Sequence, residues 1–371
     1  MSKPYESYTV VGLDIGGAYI KAVKLSVSSN RINIDNIIRV YNPIWINGAD
    51  SLYQKLNEIK LRLNLSSEGK YYTVSTMTAE LSDVFETKDV GVKYIINAVE
   101  DVFNDSLSNY YVSSDIRLVK ANDALTDTLR IAAANWAASA WYLENCLSRA
   151  FNLINFVFID IGSTTTTIIP VINGRVTVRG RTDPEKLIVG ELVYTGALRA
   201  NVATIVDRVP YKGYFARVSF ERFALAGDVH LVLGYISPED YTSETADGRG
   251  KSINEAMARL SRVPCADINM LNSDEIVEMA RYIYEAQVFK VFEALMQVRS
   301  WIASMGFKPS LFDAVIAGIG KHIAREASRR AGFRSVMDID QMLNAPVSGV
   351  FPAYAAALML IKGELNEEVC P

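Results

Sequence analysis

Histidine is almost missing from this chain: His230 and His322 are the only two in 371 residues. A histidine-rich metal centre is thereby excluded. Cysteine is nearly as scarce. Cys146, Cys265 and Cys370 are widely spaced, odd in number and form no C-x-x-C pair. That pattern argues against a disulfide framework or a zinc site and fits a reducing cytoplasm. No apolar run approaches the ~20 residues of a membrane span, and "AYAAALMLI" near the C-terminus reads instead as a buried helix. The opening "MSKPYESY" has neither the basic flank nor the apolar core of a signal peptide. Positive charge is not in excess either, since 38 Lys and Arg against 42 Asp and Glu leave a net charge of −4. Neither nucleic acid nor a membrane is therefore an expected partner, and "EASRRAGFR" reads as a solvated helix end. The expected location is cytoplasmic; a homo-oligomer is compatible with the sequence.

Half the residues are hydrophobic and 22% are charged. A chain of this length and composition supports two globular domains with separate cores. Strand-like runs at 8–14, 20–27 and 31–40 precede "NGADSLYQKLNEIKLRL", whose Leu52, Leu56, Ile59 and Leu63 recur at helical spacing. A polar turn is expected at Ser28-Ser29-Asn30, and a break at the Ser-Ser-Glu-Gly of 66–69. "YYTVSTMTAEL" reads as a strand followed by a small-residue loop, 89–103 as a helix, "DIRLVKA" as a strand and 123–145 as one long Ala-rich helix. Beyond a boundary near 150–155, a strand–turn–strand unit recurs at 155–171 with "RVTVRGR" as its third strand. An irregular region over 182–250 comes next, then helices at 252–261 and 273–305. "DAVIAGIGK" leads from a strand into a helix at 321–331, "GFRSVMDI" reads as a last strand, and a helix at 353–363 closes the chain. Strands alternating with helices indicate an α/β fold.

Two stretches are built alike. "VVGLDIGGAYIKAVKL" and "FIDIGSTTTTIIPVI" each run from an apolar strand through Asp-Ile-Gly and small residues into a second apolar strand. Glycine at such a turn lets backbone N–H groups approach a phosphate without interference from a Cβ. Gly16, Gly17 and Gly162, with Ser163, Thr164, Thr165 and Thr166, supply small donors, and Lys21 can reach a phosphate from the adjoining strand. Asp14 and Asp160, at the two strand ends, suit a hydrated Mg²⁺ held between the halves. The alternative is a pair of tight hairpins whose aspartates bond local amides. A third turn, Gly318-Ile319-Gly320, opens a helix and could face a nucleotide or phosphate. It is not G-x-G-x-x-G, because Ile323 stands at the last glycine's place; "TADGRGKS" is not a Walker A loop either, because Thr245 replaces the first glycine.

Glu80, after the "YYTVSTM" strand, is a candidate general base or metal-supporting carboxylate, with a plain helix-start acid as the alternative. "RTDPEKLIVGELVYTGALR" gathers Arg181, Asp183, Glu191, Tyr194, Thr195 and Arg199 in one turn-rich stretch, the kind of density found in substrate loops. His230, among aliphatic residues in "AGDVHLVLG", reads as a structural histidine.

The paired Asp-Ile-Gly turns and the later glycine turn resemble the two phosphate motifs and the adenosine motif of the actin, Hsp70 and sugar-kinase superfamily. More closely, "GLDIGGAYIKA", "MTAELSDVFETKDVGV", "AAANWAASA", "DIGSTTTTIIPV", "RTDPEKLIVGELVYTGALR", "DVHLVLG" and "ETADGRGKS" resemble the hydantoinase/oxoprolinase-related branch associated with tetrahydromethanopterin-linked one-carbon genes. The resemblance implies an α/β fold of duplicated actin-like ATPase (ribonuclease H-like) domains flanking a cleft. These would be an N-terminal domain over 1–153 and a C-terminal one over 154–371, with a substrate-loop insertion at about 182–270 and a last helix free to pack back on the first domain. The activity implied is that of a transferase. It joins an aminomethyl-furanmethanol diphosphate to the phenol of γ-glutamyltyramine, with Asp14, Glu80 and Asp160 catalytic, the glycine turns on the diphosphate and Mg²⁺ as cofactor. An ATP-dependent kinase or ring-opening hydrolase, binding ATP or ADP on the same loops, and a nucleotide-gated scaffold are the competing readings. One position departs from the family pattern, which places an acid where this chain has Thr167.

Overall fold

A computed structural model describes residues 8–28, 31–65, 70–365 and 370. Ser29 and Asn30 of the first expected turn, and the 66–69 break, lie outside the described residues. The chain forms two compact units: one of Met1–Ile154, Val171–Asp183 and Val350–Pro371, the other of Asn155–Pro170 and Pro184–Gly349. The first unit therefore includes a short middle segment and the C-terminal helix.

The first unit opens with strands β1 (Tyr8–Ile15), β2 (Tyr19–Ser28) and β3 (Arg31–Tyr41), then helices α1 (Ile44–Asn47) and α2 (Ser51–Arg62). Strand β4 (Tyr71–Met77) is followed by helix α3 (Lys88–Val102), strands β5 (Ser108–Ser113) and β6 (Arg117–Val119), and helices α4 (Ala121–Thr126), α5 (Asn135–Tyr142) and α6 (Ser148–Ala150). The sheet order is β3-β2-β1-β4-β5-β6, with β1 antiparallel to β2 and parallel to β4. Period-two alternation sends Val11, Leu13 and Ile15 into a core shared with Leu52, Leu56 and Ile59 of α2 and Ile95, Ile96 and Val99 of α3. The opposite face of β1 receives the closing helix, residues 351–363, whose Ala353 backbone lies against Gly12.

The second unit carries β7 (Phe156–Ile161) and β8 (Thr166–Ile172), with β9 (Arg175–Val176) continuing into the first unit. Next come α7 (Asp183–Val189), β10 (Leu192–Val193), α8 (Val202–Ile205), a hairpin of β11 (Arg208–Tyr211) and β12 (Tyr214–Arg217), and α9 (Ala226–Val232). The remaining elements are α10 (Ile253–Ser261), α11 (Ser273–Ser304), β13 (Asp313–Ala317), α12 (Lys321–Ala331), β14 (Val336–Asp338), α13 (Ile339–Leu343) and finally α14 (Phe351–Gly363). Its sheet runs β10-β8-β7-β13-β14, with β7 parallel to β13. In each unit the aspartate-bearing strand thus lies between its hairpin partner and a later parallel strand: β2-β1-β4 and β8-β7-β13. The two halves repeat one topology.

Local sequence explains the long elements. Asn272 and Glu275 cap α11 reciprocally, each side chain accepting the other's backbone N–H at 2.9 Å, and Gly332 ends α12 in the left-handed region at φ 75°. Every residue from Phe351 to Ile361 of α14 is buried, which accounts for its unbroken apolar character. Among the described residues no helix is long and apolar enough to cross a membrane.

Three expectations are corrected. The Ala-rich stretch 123–145 is not one helix: α4 and α5 are separated by a 3₁₀ turn at Thr128–Arg130 and by Ala133, whose φ of 52° is incompatible with a right-handed helix. The "RVTVRGR" strand shrinks to the two residues of β9. Cys146 and Cys370 form a disulfide, their Cα atoms 4.9 Å apart, because α14 carries the C-terminus back to the first unit. Cysteines 224 residues apart gave no spacing signal.

Candidate active site

The two Asp-Ile-Gly turns close in the same way. Gly16 N–H donates to the Tyr19 carbonyl at 2.8 Å, and Gly162 N–H donates to the Thr165 carbonyl at 2.9 Å. A Cβ on Gly16 would lie 2.9 Å from the Tyr19 oxygen, so that glycine is required by the turn itself. Gly17 and Gly162 are roomier: their Cβ positions meet nothing nearer than 3.9 and 3.7 Å. Space for a ligand atom is left over these two backbones.

In the first unit, Asp14, Lys21 and Thr76 form a polar row. Asp14 is in register with Lys21 on β2 and with Thr76 on β4, and register partners project to the same face. Lys21 Nζ lies 3.1 Å from Asp14 Oδ2, while Asp14 Oδ1 and Thr76 Oγ1 are buried without a hydrogen-bond partner. Two orphaned buried oxygens side by side are a costly arrangement unless a cation, water or ligand completes them.

Glu80 lies in the loop after β4, whose entry is fixed by the Thr78 and Ala79 amides donating to the Ile15 carbonyl at 2.9 and 3.1 Å. The loop backbone presses on α3 at Gly91, where a Cβ would lie 2.6 Å from the Glu80 carbonyl oxygen. Glu80 is 1% exposed, and neither carboxylate oxygen has a well-formed hydrogen bond. Burial pushes its pKa up to about 7. Its own amide, Lys88 and the Ala133 amide pull the other way, and Asp183 adds to the rise. Lys88 and Asp183 are themselves paired at 3.4 Å. A carboxyl group poised near neutrality, with lone pairs to offer, can accept a proton.

In the second unit, Asp160 ends β7 against the third glycine turn. Gly318, at φ 84°, brings its backbone so close that a Cβ would lie 2.5 Å from Asp160 Oδ1 and 2.2 Å from the Ile161 carbonyl oxygen. Gly320 N–H donates to that same carbonyl at 2.9 Å. Lys321, the next residue, is held by Asp338 and Asp340. The far side of the hairpin is backed by residues 195–199. Ala197 N–H donates to the Gly162 carbonyl, and the Leu198 and Arg199 amides donate to the Ser163 carbonyl. Arg199 Nη1 donates to Thr164 Oγ1 at 3.2 Å, and the Ser163 and Thr164 hydroxyls are 3.4 Å apart. Thr166 is buried and gives its hydroxyl to the Thr195 carbonyl at 2.8 Å, so that hydroxyl serves the framework. Thr165 closes the turn through its carbonyl. Thr167 lies on β8 opposite Leu192.

The stretch read as one substrate loop is divided. Arg181 and Asp183 belong to the first unit, Arg181 paired with Asp115 at 2.6 Å. Glu191, Tyr194 and Arg199 belong to the second. Glu191 is fully buried against Lys186 at 3.5 Å, and Tyr194 is exposed. His230 is fully buried and hydrogen-bonded, in keeping with a structural role.

Sequence reasoning missed Thr76, Lys88, Gln287 and His322. Gln287 carried a signal: it is the polar residue within the buried stripe Ile283, Tyr284, Gln287, Val288 and Val291 of α11. The "ETADGRGKS" loop also turns out to be built around a buried charge. Arg259 donates to Asp228 and Asp247 at 2.8 and 3.2 Å and to the Gly250 carbonyl at 3.0 Å, with Arg259 and Asp228 fully buried. Arg259→Ala leaves Asp228 buried without its partner and is expected to cost about 3–5 kcal/mol, read as a lower denaturant midpoint.

The chain is 30% identical over 353 residues to "(4-{4-[2-(gamma-L-glutamylamino)ethyl]phenoxymethyl}furan-2-yl)methanamine synthase" of Methanocaldococcus jannaschii, covering 95% of this chain and 98% of that one. A protein of the same name from Methanococcus vannielii is 31% identical over 218 residues, covering 58% of this chain and 94% of its relative. Among solved structures, nucleotide-free acetone carboxylase matches with a TM-score of 0.52 at 10% identity, over 94% of this chain and 70% of that one. The chain shares its overall fold with that enzyme. The hydantoinase/oxoprolinase model matches residues 71–363. With most of its length matched in this way, the chain belongs to the hydantoinase/oxoprolinase family.

Proposed function

We propose that this protein is a transferase of methanofuran biosynthesis, joining a furfuryl carbon to a phenol oxygen with loss of diphosphate. The observation that carries the proposal is the end-to-end likeness to the Methanocaldococcus jannaschii synthase, whose name describes an aryl ether at a furan methylene. The substrates inferred are an aminomethyl-furanmethanol diphosphate and γ-glutamyltyramine.

The chemistry asks for three things. The C–O bond to diphosphate must break, the phenol oxygen must be placed on the methylene carbon, and the phenol proton must go elsewhere. The furan ring delocalises positive charge at that carbon, which favours early loss of the leaving group. The donors assigned to phosphate oxygens are, in the first unit, the Gly17 N–H, with Lys21 adding charge, and, in the second, the Ser163 and Thr164 hydroxyls. Glu80 is assigned the phenol proton: a phenol of pKa ~10 needs a base as its oxygen becomes bonded to carbon. The electron pair of the broken bond leaves with diphosphate, and the proton remains on Glu80 until solvent removes it. Mg²⁺ is assigned to the first unit, where Asp14 Oδ1 and Thr76 Oγ1 lack partners and would hold it together with substrate oxygens. When bound it would neutralise diphosphate charge.

Asp160 is assigned to orient the Gly162–Thr164 turn that follows it, and Asp160→Asn is expected to lower kcat about 100- to 1000-fold, the scale of losing one preorganised electrostatic contact, while leaving the circular dichroism spectrum unchanged. Diphosphate release measured for both proteins tests this; equal rates would remove Asp160 from the mechanism.

A further inference from the structure

The chain's two histidines touch, and they do so inside a hydrogen-bonded series that reaches the Asp160 hairpin. His322 Nε2 lies 3.0 Å from His230 Nδ1, His230 Nε2 lies 2.9 Å from Gln287 Oε1, and Gln287 Nε2 donates to Thr195 Oγ1 at 2.8 Å and to the Gly196 carbonyl at 2.9 Å. The last bond fixes every proton. A carbonyl can only accept, so the Gln287 amide nitrogen faces Gly196 and its oxygen faces His230. His230 Nε2 must then carry a hydrogen, leaving Nδ1 to accept one from His322 Nε2. Burial keeps both rings neutral at neutral pH, pushing His322 down to about 4 and His230 well below its ordinary value.

Each end of this series bears on the hairpin. His322 follows the Gly318–Gly320 turn that abuts Asp160 and Ile161. At the other end, a Cβ on Gly196 would lie 2.4 Å from the Thr164 amide nitrogen, so the Gly196 backbone lies directly against the Ser163–Thr164 peptide. Tyr235 stacks on the His322 ring at 4.7 Å between centroids and holds its plane. Gln287 therefore sits where a small displacement of residues 195–196 would move the Thr164 turn.

We propose that Gln287, His230 and His322 form a positioning network that clamps Thr195–Gly196 and thereby sets the register of the Ser163–Thr164 turn. The clamp itself does not depend on what the turn binds; its effect on turnover rests on the function proposed above.

Hydrogen exchange followed by mass spectrometry or NMR on the full chain tests it. In Gln287→Met the Ala197, Leu198 and Arg199 amides should exchange about ten- to a hundredfold faster, as expected when a buried hydrogen bond is lost, while the amides of β13 keep their wild-type rates. His322→Phe, which preserves the ring stack but removes the donor, should act in the same direction. His322→Gln, which supplies an N–H in place of the imidazole, should restore protection. Unchanged exchange at 197–199, an equal acceleration throughout the unit, or a His322→Gln protein no better protected than the His322→Phe protein would each overturn the proposal. In the synthase assay, lower kcat in Gln287→Met and His322→Phe with recovery in His322→Gln extends the effect to catalysis. A wild-type protein without synthase activity would instead count against the proposed function, leaving the clamp to be decided by exchange.

Discussion

Glu80→Gln is expected to lower kcat by about 100- to 10,000-fold, the contribution of a positioned general base, and to remove the rising limb near pH 7 that this base predicts for the wild-type profile. Burial raises the Glu80 pKa to about 7, so the carboxylate becomes available as a base only as pH passes through that value. Stability moves in the opposite direction. A carboxyl whose folded pKa exceeds its unfolded value stabilises the protein fully below the unfolded pKa and loses that contribution as pH rises through the folded one. Ionised Glu80 at pH 8 costs about 3 kcal/mol, from the rise between 4.5 and about 7. The glutamine variant remains neutral, so it should unfold at higher denaturant than wild type at pH 8 and match it near pH 4.5. A variant equally active, or less stable at pH 8, would contradict the assignment of Glu80 as a buried base retained at a cost to the fold.

Gly12→Val should abolish folding of the first unit. A Cβ at Gly12 would lie 2.0 Å from the Ala353 carbonyl oxygen and 2.9 Å from its carbon, both backbone atoms of a helix buried from Phe351 to Ile361. Rotamer changes cannot relieve a clash with backbone, and α14 cannot retreat without opening the face of β1 it covers. Insoluble protein, or a far-ultraviolet spectrum without the native α/β signature, is the expected result. A folded valine variant with native stability would show that α14 does not pack as described. Gly12 stands in the same "GLDIGG" stretch as the turn glycines, yet its reason is helix packing and not ligand approach.

Much of the architecture is legible in the sequence because it depends on local pattern. The strand–turn–strand repeat around Asp14 and Asp160, the helical spacing of Leu52, Leu56 and Ile59 and the apolar run of α14 are all periodicity signals. What escaped reading depends on contacts between distant residues. Ala133 takes a left-handed conformation in an Ala-rich stretch with high helix propensity, and nothing in its neighbours announces it. Cys146 meets Cys370 only because α14 returns to the first unit. The candidate site divides in the same way. Glu80 stands out as an acid after a strand, whereas its raised pKa arises from burial beneath Gly91 and from Asp183, against the opposing pull of Lys88, and no spacing rule connects these residues. Thr166 looked like a phosphate donor from composition alone, and its hydroxyl is given to Thr195.

The decisive assay uses purified protein, Mg²⁺, the furanmethanol diphosphate and γ-glutamyltyramine, with no nucleotide present. Ether product, identified by mass, should accumulate in step with diphosphate, one for one. Absence of the ether under these conditions, with acceptor-dependent ADP formation once ATP is supplied, would contradict the synthase and favour a kinase or hydrolase on the same glycine turns.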